Sequence, residues 1–215
     1  MEYLNLYDRK GNLLNKKGIR GETLEDLVGI VIIFIENSNG EFLIQKTSSS
    51  RNSVFATTGG HVSYGSTFKV AIKNEVKEEL GLDILDEEII ETNTYFKEHY
   101  IQKVYYMKKD IDIKSLTIQD DEVEYVKWLD KKTINELIEN KEFRESNIEG
   151  YQHIINNYSS NIWQKPNIIV SFHQKGRLLC LKQWLLNYII IIFCTWTNDI
   201  KNCHKGTSAI CGACI

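Results

Sequence analysis

Cysteine and proline are missing from the first 160 residues of this 215-residue chain: all five cysteines (Cys180, Cys194, Cys203, Cys211, Cys214) and the sole proline, Pro166, come later. The first absence excludes a thiol nucleophile from that part of the chain. A surplus of positive charge is missing too. The formal net charge is −3, so there is no general basic field and no nucleic-acid polymer is expected as a partner. No basic, apolar and small-residue series opens the N-terminus, where Glu2 and Asp8 are early and polar, so a cytoplasmic setting is expected. Internal repeats and low-complexity tracts are also lacking. What is present is an ordinary soluble composition, 42% hydrophobic and 26% charged, sufficient to bury a core.

These averages conceal a seam. Residues 1–160 carry 20 Lys and Arg against 28 Asp and Glu, a net of −8, whereas residues 161–215 carry 6 against 1, a net of +5. Three of the four tryptophans join the cysteines in the later part. A domain over 1–160 and a C-terminal extension over 161–215 are therefore expected, with the boundary near Ser159 to Pro166. Within the extension, Leu178 to Trp196 is nearly long enough to cross a bilayer but is interrupted by Lys182, Gln183 and Asn187. A membrane segment, an added core helix and a non-native tail read past a shifted frame all remain open, and membrane contact is expected only there. Cys211 and Cys214, with Cys203 and His204 upstream, have metal-like spacing at one end only, and free thiols are the simplest account.

Residues 1–160 have the punctuation of an α/β chain with short strands. The run from Gly29 to Ile35 is followed by Asn39-Gly40, suited to a tight turn, and then by Phe42 to Ile44, which predicts a buried hairpin. A weaker hairpin is expected over Tyr3 to Leu14, turning at Lys10 to Asn12. Between Thr67 and Leu80, Phe68, Ala71, Ile72, Val76 and Leu80 recur at helical spacing, with Ser66 as the expected N-cap and Gly81 as the stop. Further strands are expected at Glu91 to Phe96, Lys103 to Met107 and Val123 to Trp128. Helices are expected at Asp130 to Glu139 and about Glu142 to Tyr158.

The stretch "GGHVSYGSTFKVAIKNEVKEELGL", residues 59–82, crowds like charges on one helix. At 100° per residue Glu75, Glu78 and Glu79 fall within an arc of about 100°, expected to lie opposite the stripe of Ile72, Val76 and Leu80. Each like-charge pair at this spacing costs a few tenths of a kcal/mol, roughly what a favourable pair would gain. A solvated helix face would tolerate that cost. A hard divalent cation such as Mg²⁺ would remove it, since such ions take oxygen ligands and leave positions for water and substrate phosphates. Gly59-Gly60 lets backbone or phosphate approach closely, and Gly65-Ser66 leads into a helix N-terminus that favours anions.

This pattern resembles the signature of the Nudix hydrolases, Gly-x5-Glu-x7-Arg-Glu-apolar-x-Glu-Glu-x-Gly-apolar. Gly60, Glu75, Val76, Glu78, Glu79, Gly81 and Leu82 supply seven of its nine specified positions. "EYLNLYDRKGNLL", "GEFLIQK" and "TTGGHV" are similar to the branch related to isopentenyl diphosphate isomerase, and the likeness covers about residues 2–158. It implies an α/β Nudix fold, a mixed sheet sandwiched between helices (α/β/α), with an unplaced C-terminal extension. Ser66 and Asn74 stand where the family carries a glutamate and an arginine that brace the loop against the helix. Losing only one of them would strand a charge, at about 3–5 kcal/mol if buried. Two neutral residues leave no orphan charge and are expected to bridge by hydrogen bonds.

The resemblance implies metal-assisted hydrolysis of a diphosphate linkage in a small molecule. Glu75, Glu78 and Glu79, with the Gly60 carbonyl, would hold Mg²⁺ (or Mn²⁺). The resemblance implies a general base that is either a signature glutamate, Glu78 or Glu79, or a residue of the later acidic run Asp120 to Glu124, where Glu122 is preferred. Gly59, Gly60, His61, Arg51 and Lys46 are candidates for substrate contact. A silent domain that binds a nucleotide or diphosphate as a sensor is the alternative. Isomerases of the related branch need a cysteine, and Phe55 to Thr58, where it would be expected, has none. Neither the substrate nor the oligomeric state follows from these residues.

Overall fold

The computed structural model describes residues 2–159, and the 161–215 extension with its apolar stretch and cysteines lies outside them. β1 (Tyr3–Tyr7) and β2 (Leu13–Ile19) form the expected N-terminal hairpin, closed where the Asp8 carboxylate accepts from the Lys10 and Asn12 backbone N–H groups. β3 (Leu27–Glu36) is the central strand of a nine-stranded mixed sheet. It runs parallel to β8 (Tyr100–Lys108) along its whole length and antiparallel to β1 and to β6 (Thr58–His61) on the other side.

Both edges of β3 are thereby occupied, so the hairpin expected around Asn39-Gly40 is only a corner. β3 and β4 (Phe42–Thr47) pair at Glu36 and Phe42 alone, and β4 goes on to pair with β5 (Phe55–Ala56) and β9 (Val123–Leu129). Gly40, at φ 80°, supplies the left-handed residue of that corner. β7 (Ile90–Phe96) completes the sheet beyond β8.

β3 is buried on both faces, which explains its unbroken apolar run. Val31, Ile33 and Ile35 pack with Ala71, Ile72, Val76 and Leu80 of α1 (Phe68–Leu80). Ile32 and Phe34 face the other way, into a core with Ile134 of α2 (Lys131–Glu139) and Tyr151 and Ile154 of α3 (Glu145–Asn157). Fully burying each such side chain stabilises by roughly 1.5–3 kcal/mol. The α/β/α layering implied by the resemblance is the observed one.

One local expectation is corrected. The N-cap of α1 is Thr67, whose side chain accepts from the Val70 backbone N–H at 3.2 Å; Ser66 is one residue too early. Gly59 and Gly60 lie within β6, paired with β3 so that Gly59 is opposite Ile32 and Gly60 opposite Val31.

Candidate functional site

α1 lies across β6, and that crossing builds the site. Gly59 has no room for a side chain: an added Cβ would sit 2.1 Å from the Val31 carbonyl oxygen. At Gly60 the space is taken by a different group, since a Cβ there would fall 2.1 Å from Oε1 of Glu75. The glycine pair therefore does two jobs, letting β6 seat against β3 and letting an α1 carboxylate rest on the strand.

Glu79 goes deeper. It is 4% exposed, and its Oε2 accepts from the Gly59 backbone N–H at 3.3 Å and from Gln45 Nε2 at 3.2 Å. The expectation that the three glutamates lie opposite the apolar stripe is thus corrected. On a 100° wheel Glu79 is only about 20° from Ile72, so it borders the stripe and is drawn under the sheet, while Glu78 stays exposed. Among the described residues no three Asp, Glu, His or Cys side chains already converge on one point.

Burial pushes the Glu79 carboxyl up to about 8, helped by the neighbouring charge of Glu75. Burial likewise pushes Glu75 up to about 7, with Glu78 and Glu122 adding to the rise. The carboxylates of Glu75 and Glu78 have no hydrogen-bond or ion-pair partner among the described residues. The donor set is therefore oxygen-rich, crowded and short of positive charge, which suits a hard divalent cation.

These residues line a cavity of about 380 Å³. Gly59, Gly60, His61, Arg51 and Glu122 line it too. Burial and the nearby Arg20 guanidinium hold the His61 imidazole below its ordinary value. Arg51 is ion-paired with Glu122, so the candidate phosphate contact and the candidate base are partners of each other. The loop carrying Glu122 is strapped down on two sides: the Gln119 N–H donates to the Glu79 carbonyl at 3.2 Å, and the Ser48 N–H donates to the Glu122 carbonyl at 2.9 Å.

Lys46 is a correction, for it does not line the cavity. Strand alternation sends Gln45 and Thr47 inward and Lys46 to the other face, where its ammonium lies 4.4 Å from the Phe55 ring centroid. The expected Ser66 to Asn74 bridge is also corrected. Ser66 Oγ donates to the Thr67 carbonyl, and the Asn74 side chain has no hydrogen bond among the described residues. Asn5 of β1 braces the loop instead: 1% exposed, it donates Nδ2 to the Ser66 carbonyl at 2.7 Å and accepts the Gly65 N–H at 3.0 Å.

The sequence pattern did not point to Arg20, Gln45, Gln102, Arg144 or Asn147, all of which line the cavity. Each sits outside the signature, on a segment that only the tertiary fold brings to the cavity. Arg20 is paired with Glu2 at 2.6 Å. Arg144 has no ion-pair partner among the described residues, nor does its buried Nε have an acceptor among them, and burial holds its guanidinium below the ordinary arginine value. A buried donor left unsatisfied costs about 1–3 kcal/mol, more when charged.

The chain is similar to known proteins in sequence and in fold. The family model of the NUDIX domain matches residues 26–151. An uncharacterised Nudix hydrolase of Listeria innocua is 31% identical over 152 residues, covering 66% of this chain and 88% of its own. A counterpart from Listeria monocytogenes is 29% identical over the same shares. Among solved structures, a protein of Deinococcus radiodurans superposes with a TM-score of 0.60 at 20% identity, over 71% of this chain and 97% of that one. A NUDIX hydrolase from Nitrosomonas europaea gives a TM-score of 0.51 at 14% identity, over 60% and 89%. At those identities the two structures speak to the fold alone.

Proposed function

The chain belongs to the Nudix family and is a hydrolase of pyrophosphate linkages; on that premise we propose that it cleaves, with a divalent cation, the diphosphate linkage of a nucleoside diphosphate derivative or related small molecule. The observation that carries this reading is the seating of Glu75 and Glu79 on Gly60 and Gly59 inside a cavity that also receives Arg51, Arg144 and His61.

Glu75, Glu78 and Glu79, with the Gly60 carbonyl, would hold Mg²⁺ (or Mn²⁺). Such an ion, when bound, offsets charge on the bridging phosphates and lowers the pKa of an attacking water. Arg51 exchanges Glu122 for a substrate phosphate. That releases Glu122 to accept the proton of a water whose oxygen bonds to one phosphorus as the bridging P–O bond breaks. His61 and the Gly59-Gly60 backbone meet the phosphates. The likeness to the branch related to isopentenyl diphosphate isomerase does not bring isomerisation with it, because no cysteine occurs before Cys180.

The test is Mg²⁺- and Mn²⁺-dependent release of products from a panel of nucleoside diphosphate derivatives, triphosphates and dinucleoside polyphosphates, with Glu78→Gln and Glu79→Gln as controls. Turnover that disappears in both variants is expected. Binding without turnover at every metal tried would replace the hydrolase with a diphosphate sensor.

A further inference from the structure

The cavity is also lined by residues at and beside the start of α3, where three side chains keep hydrogen-bonding atoms without a partner among the described residues. Gln102 of β8 is 1% exposed, and its Nε2 donates to the Ser146 carbonyl at 3.2 Å. Asn147 of α3 is 2% exposed, and its Oδ1 accepts the Thr57 backbone N–H at 3.2 Å. A backbone carbonyl demands the NH₂ of Gln102, and a backbone N–H demands the oxygen of Asn147, so both amide orientations are determined. What remains is an acceptor, Gln102 Oε1, and a donor, Asn147 Nδ2, neither with a partner among the described residues. Arg144 adds a guanidinium that lines the cavity without a hydrogen-bond or ion-pair partner among the described residues, on a backbone pinned to β5 where its N–H donates to the Phe55 carbonyl at 2.8 Å.

We propose that Gln102, Asn147 and Arg144 form a subsite for a polyhydroxylated substituent, a sugar or similar polyol ester, on the diphosphate that the catalytic carboxylates handle. The proposal rests on the hydrolase reading and adds the substrate class. Hydroxyls both donate and accept, which matches a set with one free acceptor and several donors. A terminal phosphate accepts only and would leave Gln102 Oε1 facing another oxygen. A base held by stacking finds little here, because no Phe, Tyr or Trp among the described residues lines the cavity. Arg20 and Arg51 are engaged by Glu2 and Glu122, so Arg144 is the guanidinium of the cavity with no carboxylate partner among the described residues.

The experiment uses the full chain and two probes that share the scissile linkage: a nucleoside diphosphate sugar, and the same nucleoside diphosphate esterified with methanol. Wild-type protein, Arg144→Ala, Arg144→Lys and Gln102→Leu are compared by kcat and KM with Mg²⁺. Equilibrium binding of both probes by calorimetry with Ca²⁺ replacing Mg²⁺, and thermal melts, accompany the kinetics. The wild type should favour the sugar compound by tenfold or more in both kcat/KM and affinity. Arg144→Ala and Gln102→Leu should shrink that ratio to threefold or less, chiefly through KM, with Arg144→Lys recovering part of it. Equal losses on both probes, no loss on either, or a wild type that binds the methyl ester as well as the sugar compound would overturn the subsite. If neither probe is turned over but sugar-dependent binding persists and falls in the variants, the hydrolase reading fails and the subsite stands.

Discussion

Gly59 and Gly60 are neighbours of the same residue type in the same strand, yet replacing each with alanine should do opposite things. At position 59 the new methyl would lie 2.1 Å from the Val31 carbonyl oxygen and 2.8 Å from the Ile32 Cα, both backbone atoms of the central strand. Neither can yield without parting β6 from β3. Overpacking of this kind costs about 1–3 kcal/mol, and a clash whose shortest contacts are with backbone belongs at the upper end of that range or above it. In a domain of this size, about 3 kcal/mol corresponds to a fall in Tm of about 6–12 °C. At position 60 the methyl would meet only the end of a flexible side chain, Glu75, with Oε1 at 2.1 Å, Cδ at 2.4 Å and Oε2 at 2.6 Å. That carboxylate can swing aside, so stability changes little, but it must move by about 1 Å or more to reach ordinary contact distance. Misplacing a group in the reacting constellation by that much can cost about 100-fold in rate. Gly60→Ala should therefore keep its Tm within about 3 °C of wild type while kcat with Mg²⁺ falls about 100-fold, and Gly59→Ala should lose stability first. Thermal melts by circular dichroism and metal-dependent turnover on one preparation of each variant decide the matter. A Gly60→Ala protein with full activity, or one destabilised as much as Gly59→Ala, would refute the idea that Gly60 exists to seat the Glu75 carboxylate.

The raised carboxyls make a pH prediction with a definite sign. Glu75 and Glu79 titrate near the ordinary 4.5 in the unfolded chain but at about 7 and about 8 in the metal-free fold, so the folded state holds protons that the unfolded state has lost. Their contribution to stability is complete below 4.5 and is lost as pH rises through about 7 to 8, by on the order of a few kcal/mol. Urea unfolding in EDTA should show that decline, and added Mg²⁺ should reverse it at pH 8.5; a flat profile would remove the electrostatic case for the site. Glu79→Gln should be more stable than wild type in EDTA at pH 8.5 by roughly 1 kcal/mol while losing turnover, because it deletes the cost of ionising a buried group but also an oxygen donor. Asn5→Ala should cost about 2 kcal/mol, the worth of two hydrogen bonds in a buried setting. It should also speed hydrogen exchange at the Gly65 amide, and an unchanged rate there would mean that the loop is braced elsewhere.

The pattern of residues along the chain was enough to place most elements, because local periodicity and local stops specify them. The apolar recurrence from Phe68 to Leu80 with Gly81 behind it defines α1, and the run through Ile35 defines a strand buried on both faces. The spacing of Gly60, Glu75, Glu78 and Glu79 carried the family as well, since one helix and the strand before it hold all four. Sheet order is a different kind of fact. Nothing local says that the Asn39-Gly40 turn separates strands that part after one pair, or that β8 runs parallel beside β3; those choices depend on which strands together bury the most apolar surface. For the same reason only the assembled sheet turned Lys46 away from the cavity and drew Glu79 beneath it. It also joined Arg51 to Glu122 and set Gln102, Arg144 and Asn147 side by side from segments more than forty residues apart in sequence. Contacts between residues distant along the chain leave no periodic trace in it, and most of what faces this cavity is made of them.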